Sequence, residues 1–79
     1  MKEINAFNED DFRYKEYELN EKELKKISDY TNYQFKSSKT RLLIIYSFMG
    51  DIVAAQVQEN IIKDFSPEEI KKLFGKIPE

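Results

Sequence analysis

From Leu42 to Tyr46 the chain is apolar at five successive positions, with Arg41 before the run and Ser47 and Phe48 after it. Continuous apolarity over 41–48 predicts a central strand buried on both faces, covered by helices on each side or by helices on one side and a partner chain on the other. Gly50 ends this strand. Upstream, Phe12-Arg13-Tyr14-Lys15-Glu16-Tyr17-Glu18-Leu19 alternates imperfectly and is rich in aromatic rings, and Ile4 to Phe7 is a second short apolar stretch. With the polar Asn8-Glu9-Asp10-Asp11 between them they read as a β-hairpin, a helical N-terminus being the competing assignment.

Leu19-Asn20-Glu21-Lys22-Glu23-Leu24 is a helix start. Asn20 can cap the amide of Glu23, the Glu23 carboxylate can reach back, and Leu19 can pack on Leu24 as a hydrophobic staple. Leu24, Ile27, Tyr30 or Thr31, and Phe35 then recur at helical spacing, which predicts a helix over about 21–35. From Asp51 to Phe65 a hairpin strand and a helix compete. At 100° per residue Val53, Ala54, Ala55, Val57, Ile61, Ile62 and Phe65 fill an arc of roughly 200°, and Ile52 is the misfit. That arc favours a helix over about 51–64, with Asp51 as N-cap. Ser66-Pro67-Glu68-Glu69 is a second strong start signal, for a short helix over 67–74 that Gly75 stops, with Ile77-Pro78 as an anchoring tail. The expected fold is α+β, a single domain over 1–79 in which three helices pack on a small sheet made of the N-terminal hairpin and the central strand.

The chain has 79 residues, 41% of them hydrophobic and 14% aromatic, which suits a packed globule better than disorder. A domain of this size buries only about 60% of the surface its unfolded chain exposes. Its apolar stretch is far short of the roughly 20 residues of a spanning helix, and the early acidic residues do not resemble a secretion signal, so a cytoplasmic protein without membrane association is expected. The abundance of Lys, Ile, Asn, Tyr and Glu resembles that of products of AT-rich microbial or phage genomes. The net charge of −2 conceals blocks: four basic and eight acidic residues in 1–23, five and one in 24–41, four and six in 42–79.

His and Cys are both absent, which removes the side chain that titrates near neutrality, the strongest nucleophile and the usual zinc ligands. The strand, Gly50 turn and predicted helix start resemble a phosphate-binding layout only superficially, since one glycine is present and Asp51 stands where phosphate would sit. Asp10-Asp11 and Glu68-Glu69 lack calcium-loop spacing and have local roles in a turn and a helix start. Ser37, Ser38 and Thr40 lie in a basic linker, and without His a reactive hydroxyl there would need a lysine base that nothing positions. No catalytic, cofactor or metal site is expected, and an enzyme is the least favoured class.

Two surfaces remain. Glu9, Asp10, Asp11, Phe12, Tyr14 and Tyr17 combine carboxylates with amphipathic rings, suited to docking on a basic protein surface. Lys22, Lys25, Lys26, Tyr33, Lys36, Lys39 and Arg41 form a basic face of the kind that phosphate contact and base stacking would use. The favoured function is a small non-enzymatic protein-binding module of accessory or inhibitor type, such as phages and mobile elements encode against a host defence protein. The alternative is a nucleic-acid-binding accessory protein. An excess of apolar surface on the central strand and the predicted 51–64 helix also points to a homodimer, with Ala55 and Ile62 at its contact.

Overall fold

Each strand of the protein pairs with the strand next to it in sequence. The computed structural model describes residues 1–35 and 39–75. Its elements are β1 (Lys2–Glu9), β2 (Phe12–Glu18), α1 (Glu21–Thr31), β3 (Arg41–Ser47), β4 (Ile52–Gln58), β5 (Ile62–Phe65) and α2 (Pro67–Phe74). The strands form one five-stranded antiparallel sheet in the order β1-β2-β3-β4-β5, and α1 is inserted between β2 and β3. The tail Ile77-Pro78 and the linker residues Lys36, Ser37 and Ser38 lie outside the described residues.

Successive side chains of a strand point to opposite faces, so β3 divides its apolar run into two unlike sides. Leu42, Ile44 and Tyr46 are buried, whereas Leu43 and Ile45 are half-buried. Strand register extends the buried side across the sheet: Tyr17 and Val57 lie opposite Leu42, Ala55 opposite Ile44, and Phe65 opposite Ala55. Ile27 of α1 and Ile70 of α2, with Leu19 and Phe35, complete this core. Burying each such aliphatic side chain contributes about 1.5–3 kcal/mol. The Tyr17 and Tyr46 hydroxyls, 3.0 Å apart, satisfy one another inside it.

Both helix starts form as their sequences dictate. Asn20 accepts from the Glu23 amide at 2.8 Å while Glu23 accepts from the Asn20 amide at 3.0 Å. Ser66 and Glu69 repeat that capping box at 3.2 and 2.8 Å, with Pro67 in the first turn. However, α1 stops at Thr31 instead of running to Phe35. Asn32 takes a left-handed φ of 60°, and the Ser28 hydroxyl accepts from the Phe35 amide at 2.9 Å, turning the chain so that Phe35 enters the core.

The expectation of three helices on a small sheet is overturned, because 51–64 is the β4–β5 hairpin. Two irregularities disguise its alternation. Ala54 pairs with Ile45 and Ile52 with Tyr46, which leaves Val53 as an extra residue in a bulge. A turn at 59–61, where the Glu59 amide donates to the Ile61 carbonyl at 3.0 Å, breaks the segment into two strands. Between these breaks Ala55 and Val57 point to the core while Ala54, Gln56 and Gln58 point away. The β-branched Ile52, Val53, Val57, Ile61 and Ile62 favour a pleated backbone, and β4 supplies the hydrogen-bond partners that the second edge of β3 requires. Asp51 is a turn residue instead of an N-cap: its carbonyl accepts from the Ser47 amide at 2.8 Å. In that turn Gly50 has a φ of 88°, a conformation that favours glycine.

Tyr30 of α1 donates a hydrogen bond to Glu69 of α2, tying the helices together at the surface. The Ser66 amide, the Tyr30 hydroxyl and the charge of Lys72 hold the Glu69 carboxyl below its ordinary range. Its hydrogen bond to Glu69 in turn raises the Tyr30 phenol. A lowered carboxyl contributes stability above its unfolded-state pKa and loses it as pH falls through the folded value, whereas a raised phenol loses its contribution as pH rises through its own.

Two outcomes are expected. In urea denaturation Ile44→Ala lowers stability by about 2–5 kcal/mol, and Leu43→Ala, on the other side of the same strand, costs a fraction of that. In thermal melts across pH, Glu69→Gln keeps the capping box and shallows the acid loss of stability, while Tyr30→Phe shallows the alkaline loss and leaves most of the acid limb in place.

Candidate functional site: the open face of the sheet

Opposite the helices, every strand side chain among the described residues is exposed or half-buried. One cross-strand row on this open face is apolar from the first strand to the fourth: Phe7 faces Tyr14, Tyr14 faces Ile45, and Ile45 faces Ala54. Leu43 lies beside it in the next row. Phe7 is 55% exposed, so the row has an uncovered end. A groove of about 480 Å³ opens there, lined by Phe7, Asn8, Glu9, Tyr14, Glu16 and Leu43.

The polar side chains around the row carry more negative than positive charge. Glu9, Glu16, Glu18 and Asp64 occupy this face against Lys2 and Arg41, four carboxylates to two bases. Asn5 donates to Glu16 at 2.9 Å and Gln56 to Asp64 at 2.8 Å, which fixes these carboxylates beside the row. At one end of the sheet two turns meet, because Phe12 at the start of β2 pairs with Ser47 at the end of β3. Asp10, Asp11 and Asp51 are exposed there beside Phe12, Phe48 and Met49, the last 75% exposed. Asp10 accommodates the two-residue turn with a φ of 49°.

The structure separates the residues that the sequence groups together. Glu9, Asp10, Asp11, Phe12 and Tyr14 gather at the tip and open face. Tyr17 does not: it is 1% exposed, on the helix side of β2, and belongs to the core. Ala55 is equally buried in the core beneath α2, so it offers no contact to a second copy, while Ile62 is exposed on the open face at β5. Of the basic group, Lys22, Lys25 and Lys26 are exposed on α1. Tyr33 is half-buried with its ring 4.8 Å from that of Phe35, Lys39 is exposed, and Lys36 lies outside the described residues. Arg41 points to the open face, away from α1, and donates to the Thr40 carbonyl at 3.0 Å. The helix lysines and Arg41 therefore do not converge on one groove.

Phe7, Leu43, Ile45, Phe48 and Met49 are the surface residues that sequence reasoning passed over. The signal was present in β3, whose doubly apolar run admits a partner chain on one side. A second groove of about 690 Å³ runs beside α1 over Leu24, Tyr33 and Phe35, lined also by Glu21, Asp29 and Lys25. Among the described residues no group of three or more carboxylates is arranged to hold a metal ion, and no helix is long and apolar enough to cross a membrane. No protein-family model, curated protein or solved structure matches the chain.

The tip and the core should respond differently to truncation. Phe48→Ser and Met49→Ser are expected to leave stability within about 0.5 kcal/mol, whereas Tyr17→Ala costs about 3–5 kcal/mol, both read from urea midpoints.

Proposed function

We propose that the protein is a non-enzymatic protein-binding module, of the accessory or inhibitor type that phages and mobile elements direct at host proteins, and that it docks through the open sheet face and acidic tip. The observation that carries this reading is the uncovered row of Phe7, Tyr14, Ile45 and Ala54. Half-exposed aromatic and aliphatic side chains beside fixed carboxylates suit a partner with apolar anchors in a basic surround, where the rings supply affinity and the charges steer encounter. Carboxylates around the row disfavour phosphate, and the lysines that nucleic acid would use sit on α1, across the sheet. A homodimer closing over the same row is the second reading, favoured by the apolar character of the row itself. Two copies of this face would set like net charge against like, so a different, basic protein is preferred.

The test is affinity capture from the native cell with wild type, a Phe7→Ala/Tyr14→Ala variant and a Lys22→Glu/Lys25→Glu/Lys26→Glu variant, each first checked for folding. The partner should survive nuclease and the lysine changes and be lost with the aromatic pair. Loss with the lysine variant and with nuclease, and retention with the aromatic variant, would transfer the function to nucleic acid. A solution mass that doubles with concentration for wild type, and not for the aromatic variant, would support the homodimer.

A further inference from the structure

We infer that β1 is a strand-addition edge, which takes an extended, basic segment of the partner protein and seats one of its apolar side chains in the groove beside Phe7. This rests on the protein-binding reading and specifies how the partner is held.

The sheet has two edges, and they are unequally protected. An edge strand presents unpaired amides and carbonyls, and proteins commonly blunt such edges by shortness, charge, proline or a bulge. β5 is four residues long, carries Lys63 and Asp64, and leads directly into α2. β1 is eight residues long. Its charges stand at its ends, Lys2, Glu3 and Glu9, and its bulge is at Ile4. Between these lies Asn5-Ala6-Phe7-Asn8, uncharged, free of proline, exposed, and paired with β2 in unbroken register from Asn5 opposite Glu16 to Glu9 opposite Phe12.

The groove of about 480 Å³ adjoins this stretch, and among the described residues its charged lining groups are Glu9 and Glu16. A strand laid along residues 5–8 would complete the backbone pairing of β1, and its open-face side chains would recur every second residue, about 6.5–7 Å apart. Glu9 is two residues from Phe7 on the same face of β1, so a base two positions from the apolar anchor would meet a carboxylate. The fitting segment has an aliphatic residue with Lys or Arg two positions to either side of it, all on the face that meets Phe7 and Glu9. A second copy of β1 does not meet this description, because it has no base between Asn5 and Glu9 and would bring its own carboxylates.

The probe is an acetylated seven-residue peptide with lysine at positions 2 and 6, valine at position 4 and threonine elsewhere, so that Lys, Val and Lys share one face, followed by anisotropy and by amide hydrogen exchange of the full chain. Saturable binding is expected, with slowed exchange confined to residues 5–9. Methylating alternate peptide nitrogens should weaken it by at least about tenfold, as the loss of several backbone bonds requires. A peptide with glutamate in place of lysine should bind more weakly still, and Glu9→Gln/Glu16→Gln should weaken the lysine peptide by about threefold or more. Absence of saturable binding, equal binding of the methylated or the glutamate peptide, or protection at β5 would overturn the inference. So would protection of β1 without peptide, accompanied by a doubled mass, since the occupant would then be a second copy. If the peptide fails while a captured protein still depends on Phe7 and Tyr14, strand addition is wrong and the protein-binding reading stands; if that dependence also fails, both fall.

Discussion

The structure depends on β3 being saturated in its own plane and covered on only one side of it. Its backbone pairs with β2 and with β4, so neither edge of the most apolar strand is left to seek another partner. Leu42 and Ile44 then meet Tyr17, Val57 and Ala55 across the sheet, and α1 and α2 close that side with the buried Ile27 and Ile70, flanked by the partly buried Leu24, Leu73 and Phe74. Two short helices have no apolar surface to spare for the opposite side. Leu43 and Ile45 are left facing outward as a result of this economy, and their neighbours Phe7 and Tyr14 extend the patch toward β1.

Local chemistry was legible in the sequence where one residue acts on another a few positions away. Asn20 with Glu23, and Ser66 with Pro67 and Glu69, set both helix starts because a cap is a contact within one turn. The central strand and the N-terminal hairpin were legible for a similar reason: apolar runs and a polar turn are properties of contiguous residues. The β4–β5 hairpin was not, because its strand character depends on β3. A bulge at Val53 and a turn at 59–61 shift the alternation, and without the partner strand the same residues also make a broad helical arc. The end of α1 was hidden too, since it turns on a left-handed Asn32 and a Ser28 hydroxyl that reaches Phe35.

The candidate site was half legible. Carboxylates and rings at the β1–β2 turn fall together because a hairpin keeps its tip residues adjacent. Three positions is an odd step along a strand, so the two rings take opposite faces, and register decides which: Tyr14 outward and Tyr17 inward. Their parity differs, and parity is decided by pairing with Ile45 and Leu42. Phe48 and Met49 join the tip only because the two turns end at the same level of the sheet, a fact of topology that no spacing along the chain encodes.

The order of strands also bears on how the chain reaches its native state. Since each strand pairs with its successor, most pairings close over a short turn, and sheets built from such local contacts fold quickly for their class. The exception is the joint between β2 and β3, which must close across α1. That joint unites the β1–β2 hairpin with the β3–β4–β5 meander, and the helical rise of α1 shortens the span between them in the native state. The interrupted meander thus places the longest loop closure among its strand pairings at one seam, between β2 and β3, where Tyr17 and Leu42 of the core meet.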